Sequence, residues 1–267
     1  VLYMQDGQNL FSDELTFGRE WQVDEQMARL SALGLEAIIA GIPNAAEQRM
    51  AEYSPFCGAE GNPGRGDQYL QFLFDDVMPL IQSQFRVTHT RETTGIMGSS
   101  LGALISLYAF FQHPERFGFV GGRSPALWFN DCALLELIER GPFVEGRVYV
   151  DMGTAEGGNH LTHVQQLHQQ LLGKGYRPGE NLFHVEEDHA GHDEDAWARR
   201  LRTALYFPAA VPSRHGGVVG HVNRLTRTPR AAGVAGVRSA HHRTASSVRL
   251  SACLPVPNRR AGCIAAG

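Results

Sequence analysis

The run Gly98-Ser99-Ser100-Leu101-Gly102 constrains this chain more than any other feature, because it fits G-x-S-x-G with Ser100 at its centre. Upstream lies a β-prone segment, Thr93-Thr94-Gly95-Ile96-Met97, and downstream Leu104, Leu107, Tyr108 and Phe111 recur at helical spacing. A strand, a turn of small residues and a helix make a nucleophile elbow. The turn is tight, and a bulkier Cβ at its flanking positions would strike the neighbouring strand or helix. Such a turn holds a serine hydroxyl above the sheet edge at a helix N-terminus, where backbone N–H groups can receive an oxyanion. The plainer alternative is a Gly/Ser-rich turn that only closes the backbone. The strand before it and the helix after it favour the chemical reading.

The surrounding pattern supports a fold in which that turn has a place. From residue 1 to about 207, strand-like and helix-like segments alternate. Val1 to Gln5 reads as a strand ending in the turn Asp6-Gly7. Trp21 to Leu33 reads as a helix. Glu36 to Ile42 reads as a strand buried on both faces. Residues 43–65 read as a long loop. Asp67 to Phe85 is a strongly amphipathic helix that Pro79 can kink. After the elbow come a strand near Phe117 to Val120, a helix from Cys132 to Glu139, a strand at Val148 to Val150, a helix from His160 to Leu172, a strand at Leu182 to Val185 and a last helix from Glu194 to Tyr206. Regular alternation implies a mainly parallel sheet with helices on both faces, with chemistry at the carboxyl ends of the strands.

Composition divides the chain in two. The formal charge is −4, yet residues 209–267 contain nine Arg and no Asp, Glu or Lys, so residues 1–208 carry −13. The expected organisation is a folded domain over 1–208 and an Arg-rich, low-complexity tail over 209–267, either disordered or not a native sequence. An acidic body argues against nucleic acid as its partner. No apolar run approaches the eighteen residues of a membrane span. The four cysteines, Cys57, Cys132, Cys253 and Cys263, form no C-x-x-C and have no zinc spacing. No metal or cofactor is expected. The chain opens at Val1 directly on a strand, so its true start is read as missing, with a cytoplasmic location as the working expectation and oligomeric state left open.

A serine needs a base within reach and an acid to orient that base. Both should follow Ser100 and lie just after strands. The segment Glu187 to Glu194 offers His189 and His192, and position before the last helix favours His192. His160, His163 and His168 share one helix and read as surface or packing residues. For the acid, position alone leans only slightly to Glu156, several residues into its loop, over Asp151 and Asp188. The N–H of Leu101, next after the nucleophile, is one oxyanion donor. The second is expected from the loop after the opening strand, at Gln8.

These residues resemble a known family. Tyr3-Met4-Gln5-Asp6-Gly7-Gln8-Asn9-Leu10-Phe11, Trp21-Gln22-Val23-Asp24-Glu25, Gly41-Ile42-Pro43-Asn44 with Arg49, Glu52-Tyr53-Ser54-Pro55, Met97 to Ala103, Ser124-Pro125-Ala126-Leu127-Trp128, Gly153-Thr154-Ala155-Glu156 and Gly191 to Trp197 occur in the order seen in the Putative esterase family. That family includes esterase D, enterochelin esterases, some feruloyl esterases and the mycolyltransferases. The resemblance implies an α/β-hydrolase fold, here lacking the strands that normally precede Tyr3-Met4. It implies Ser100 as nucleophile, Glu156 as acid and His192 as base, and it supports Gln8 and Leu101 as the oxyanion hole. The enterochelin-esterase-like members are the most similar in wording.

The expected activity is therefore hydrolysis of a small-molecule carboxylic ester through an acyl-enzyme. An acyltransferase using the same three residues with an alcohol acceptor is the alternative, and a non-catalytic binding protein on a hydrolase fold is the rival of another class. Asp6, beside the oxyanion loop, and Trp21 are candidate substrate-binding residues.

Overall fold

In a computed structural model, residues 1–16, 18–56 and 64–209 are described. The Arg-rich tail, apart from Ala209, lies outside the described residues, as do Cys57, Cys253 and Cys263.

Among the described residues, six strands form one sheet: β1 (Leu2–Gln5), β2 (Ile39–Ile42), β3 (Gly95–Ser99), β4 (Phe119–Arg123), β5 (Arg147–Gly153) and β6 (Leu182–Glu187). Their order is β2-β1-β3-β4-β5-β6, and every pairing is parallel. Parallel neighbours need crossovers, and helices supply them: α1 (Val23–Ser31), the short α2 (Arg49–Glu52), α3 (Gly66–Phe72), α4 (Met78–Gln84), α5 (Leu101–Gln112), α6 (Phe129–Arg140) and α7 (His160–Lys174), while α8 (Glu194–Ala209) follows the last strand.

Alternation along the strands builds a core on each face. Tyr3, Ile96, Val120, Val148, Val150 and Leu182 pack with α3 to α7 on one side. Leu2, Met4, Met97, Phe119 and Tyr149 pack with α1 and α8 on the other. Helix α5 runs through the first core, with ten of its twelve residues buried. It is therefore apolar on nearly all sides and lacks the polar stripe of a surface helix.

Three local readings need adjustment. The segment expected as a doubly buried strand from Glu36 starts only at Ile39, and β2 sits at the sheet edge with Ala37 exposed. The long amphipathic helix is present as α3 and α4 joined by a π turn over Leu73–Val77. Pro79 has no N–H for the carbonyl of Asp75, so the ladder widens just before it. Finally, Asn130, Asp131 and Cys132 have left-handed φ of 51°, 52° and 63°, so the regular part of α6 begins only after Cys132. Helix α7 ends at Gly175, with φ 103°, and there Tyr176 N–H reaches the Leu171 carbonyl.

Strand register sets the stage for the site. Ser99, Arg123, Asp151 and Val185 lie in one row across β3 to β6. The segments that follow them leave the sheet at a common edge, where Ser100 N–H reaches the Arg123 carbonyl at 3.0 Å and Ser124 N–H the Asp151 carbonyl at 2.8 Å. At the opposite end of the strands lies a cavity of about 380 Å³ lined by Val1, Leu2, Ile39, Gly95, Phe119 and Arg147 among others. It is remote from Ser100. Among the described residues, no helix is long and apolar enough to cross a membrane.

Candidate active site

Ser100 follows β3 directly and precedes α5, with φ 54° and ψ −120°. A non-glycine residue is rarely held there, and the conformation costs about 1–3 kcal/mol. Glycines on either side make the turn possible. A Cβ on Gly98 would lie 2.4 Å from the Gly102 carbonyl, and one on Gly102 would lie 3.0 Å from Gln5 Cβ and 3.1 Å from an Asp6 carboxylate oxygen. The elbow thus closes on itself and on the end of β1. Leu101 heads α5, so its N–H lies in a first turn without helical acceptors. Gln8 lies in the 3-10 turn Gly7–Asn9 that follows β1, the strand paired to β3. Leu101 and Gln8 therefore stand on turns at the ends of adjacent strands.

Three side chains from separate loops meet above this edge. Ser100 Oγ lies 3.0 Å from His192 Nε2, and His192 Nδ1 lies 2.6 Å from Glu156 Oε2. His192 comes from the loop between β6 and α8, and Glu156 from the loop after β5. The Glu156 side chain is 1% exposed and that of His192 35% exposed, so the acid is enclosed while the imidazole reaches solvent. Burial opposes ionisation of Glu156. Hydrogen bonds from His192, from Ser124 Oγ at 2.6 Å and from Gly153 N–H at 2.7 Å outweigh it and hold the carboxyl pKa below its ordinary value.

Ser124 is a hub that the sequence did not disclose. Its Oγ donates to Glu156 and accepts from Trp197 Nε1 and Arg200 Nη2, each at 2.9 Å. Arg200 also lies 2.9 Å from Asp151 Oδ1 and 2.9 Å from Glu187 Oε2. A buried guanidinium thus joins the ends of β5 and β6 to α8. Trp197 adds its ring edge-on to His192, 5.0 Å between centroids. Of these, only Trp197 and Ser124 fell within segments that carried the resemblance. Arg200 gave no signal, since an Arg in an amphipathic helix ordinarily faces water.

The alternatives weighed for base and acid are placed elsewhere. His189 is solvent-facing beside Asp188 at 3.3 Å. Asp151 is fully buried among Arg123, Arg200 and Tyr149. Asp6 is buried too, with φ 57°, and its carboxylate takes Asn44 Nδ2 and Arg49 Nε at 2.7 Å and Arg49 Nη2 at 2.8 Å. Those bonds pin the turn that carries Gln8 and leave its oxygens committed within the protein. Trp21 requires correction as a substrate-contacting residue. Its backbone N–H bonds to the Asn9 carbonyl at 2.8 Å and its ring is fully buried in the second core, 5.7 Å from Trp197. It cannot touch a ligand in the site. His160, read as a packing or surface residue, stands beside His192 with 6.4 Å between ring centroids. Among the described residues, no group of three or more His, Cys, Asp or Glu is disposed to hold a metal ion.

The family match over a parallel, helix-flanked sheet defines a carboxylic ester hydrolase. The chain belongs to the Putative esterase family, whose description matches residues 1–207. It is 28% identical over 220 residues to the uncharacterized protein YbbA of Bacillus subtilis, covering 77% of this chain and 83% of that one. It is 28% identical over 138 residues to the iron(III) enterobactin esterase of Escherichia coli K12, covering 49% of this chain and 33% of the relative. Among solved structures, the BES protein of Bacillus cereus superposes with a TM-score of 0.64 at 20% identity, covering 79% of this chain and 82% of that one. The enterobactin esterase FES of Shigella flexneri superposes with a TM-score of 0.63 at 22% identity, covering 78% and 52%. These two likenesses speak to fold alone.

Proposed function

We propose that the chain is a serine carboxylesterase that works through an acyl-enzyme on Ser100. The observation that carries this reading is the continuous relay from Ser100 Oγ through His192 to Glu156, at 3.0 Å and 2.6 Å. Ser100 Oγ bonds to the ester carbonyl carbon while its proton passes to His192 Nε2. The carbonyl π electrons move onto oxygen, which the N–H groups of Leu101 and Gln8 receive. Collapse of this intermediate breaks the bond to the alcohol oxygen, and His192 returns its proton there. Water then attacks the acyl carbon, giving its proton to His192. The second collapse frees the carboxylic acid and restores the Ser100 hydroxyl.

Glu156 accepts from His192 Nδ1, which keeps Nε2 available as acceptor and stabilises the imidazolium as it forms. The 35% exposure of the His192 side chain gives the second nucleophile, water in hydrolysis, a path to the acyl-enzyme. Two relatives carry siderophore esters in their names, the triacetylfusarinine C esterase of Aspergillus fumigatus and the enterobactin esterase of Emericella nidulans. Siderophore esters therefore belong beside short acyl and feruloyl esters in a substrate panel.

A fluorophosphonate should label the protein at Ser100, and Ser100→Ala should abolish both labelling and hydrolysis of p-nitrophenyl acetate. Retention of more than about a tenth of wild-type activity in that variant would refute the assignment.

A further inference from the structure

The surface beside His192 contains an exposed aromatic plane that the relay does not use. Trp128 is 47% exposed, a large indole left open to solvent. It lies nearly parallel to the His160 ring, 14° between planes and 6.0 Å between centroids. His160 in turn stands 6.4 Å from His192. Burial and the neighbouring His192 lower the His160 pKa, so this imidazole stacks as a neutral ring near neutral pH.

Backbone contacts hold the plane against the nucleophile. Ala126 N–H bonds to the carbonyl of Ser100 at 3.1 Å, and Phe129 N–H bonds to Ala126 at 3.1 Å. The backbone segment that carries Trp128 is thereby tied to the elbow. His160 opens α7 directly after the loop that carries Glu156. The pair forms a shelf beside the elbow: His160 lies nearly parallel to the indole, and the exposed part of Trp128 can take a second flat group.

The position of the shelf decides which half of an ester meets it. Of the two oxyanion donors, Leu101 follows Ser100 directly at the head of α5, and Gln8 lies at the end of β1, on one side of Ser100. Trp128 and His160 follow β4 and β5, on the other side, and His160 adjoins the imidazole whose Nε2 returns a proton to the leaving oxygen, with Trp128 beyond it. The group attached to that oxygen runs past His192 toward His160. We infer that the Trp128–His160 stack is the subsite for the alcohol half of the substrate and selects alcohols bearing a flat π system. This inference rests on the serine-relay reading above.

The test uses the full chain and a pair of acetates that share the acyl group. Benzyl acetate and cyclohexylmethyl acetate are similar in size and shape and differ chiefly in the π face. The wild-type ratio of their kcat/KM values should favour benzyl. In Trp128→Leu that ratio should fall about fivefold, the stacking gain of one aromatic pair, and most of the change should lie in KM. Trp128→Phe, which keeps a π face, should hold the ratio within about twofold of wild type. The mirror pair, methyl phenylacetate and methyl cyclohexylacetate, places the same groups on the acyl side, and its ratio should not respond to Trp128→Leu. An unchanged benzyl ratio in Trp128→Leu would overturn the shelf, and an equal fall in the mirror pair would overturn its assignment to the alcohol side. Fluorophosphonate labelling separates the two levels. Labelling with an unmoved ratio refutes the shelf alone, whereas an unlabelled wild-type protein refutes the relay and the shelf with it.

Discussion

Ser124→Ala is the most demanding test of how the site is held. The hydroxyl makes three bonds, donating to Glu156 Oε1 at 2.6 Å and accepting from Trp197 Nε1 and Arg200 Nη2 at 2.9 Å each. Removing it leaves the Trp197 N–H without that acceptor in the core, a stranded donor worth about 1–3 kcal/mol. It also deletes a bond to a carboxylate, worth about 1.5–3 kcal/mol. Arg200 loses less, because Asp151 and Glu187 still engage it. Glu156 likewise keeps Gly153 N–H and His192. The expected loss is therefore about 3 kcal/mol, read by urea unfolding, or about 6–12 °C in Tm for a domain of this size. Activity should respond separately. With one of its anchors gone, Glu156 orients His192 less well, and kcat should fall about tenfold with KM nearly unchanged. A loss under about 0.5 kcal/mol with wild-type kcat would refute the claim that this hydroxyl ties α8 to the relay.

Other perturbations probe other parts of the argument. Glu156→Gln should flatten the acid side of the stability curve: the folded pKa lies below the ordinary 4.5, so the stability from ionisation is full above that pH and is lost as pH falls through the lowered value. Urea midpoints taken down a pH series check this, and an unchanged slope would contradict it. Arg49→Met strands the buried Asp6 carboxylate and should cost about 2–3 kcal/mol in the same assay, with a loss of kcat as the Gln8 turn loosens. Gly102→Ala pushes a Cβ to 3.0 Å from Gln5 and 3.1 Å from Asp6, and should cost about 1–3 kcal/mol together with most of the esterase activity; a stable, active variant would mean that the elbow can relax. A chain ending at Pro208 should keep full specific activity, since the family match ends at residue 207 and every residue of the relay precedes it. Loss of activity on that truncation would make the tail part of the working enzyme.

Local patterns in the amino-acid sequence were enough to place most elements. The apolar period of 67–85 marks a helix, and the small residues of 98–102 mark a tight turn, because these features depend on neighbours within a few residues. Their limits show where local information ends. Whether Ile39–Ile42 is central or at an edge depends on what pairs with it across the sheet, and no local pattern records that. The π turn before Pro79 follows from a missing donor, yet its extent is set by packing of Leu73, Phe74 and Val77 into the core.

The same boundary runs through the site. The sequence alone determined that a serine sits on a strand–turn–helix, because the elbow is written in five consecutive residues with small residues around the serine. It narrowed the base to two histidines and left three carboxylates open on position, with family resemblance favouring Glu156. Only the tertiary structure decided which of these meet, since His192, Glu156 and Ser100 are brought together by parallel strands whose ends align in register. Burial, too, belongs to the whole fold. It drew Trp21 into the core and out of a substrate's reach, left Trp128 open beside His160, and turned Arg200 inward onto Asp151, Glu187 and Ser124. The physical reason is range: turn sterics act between adjacent residues, whereas burial and charge pairing depend on residues that the chain separates and the sheet reunites.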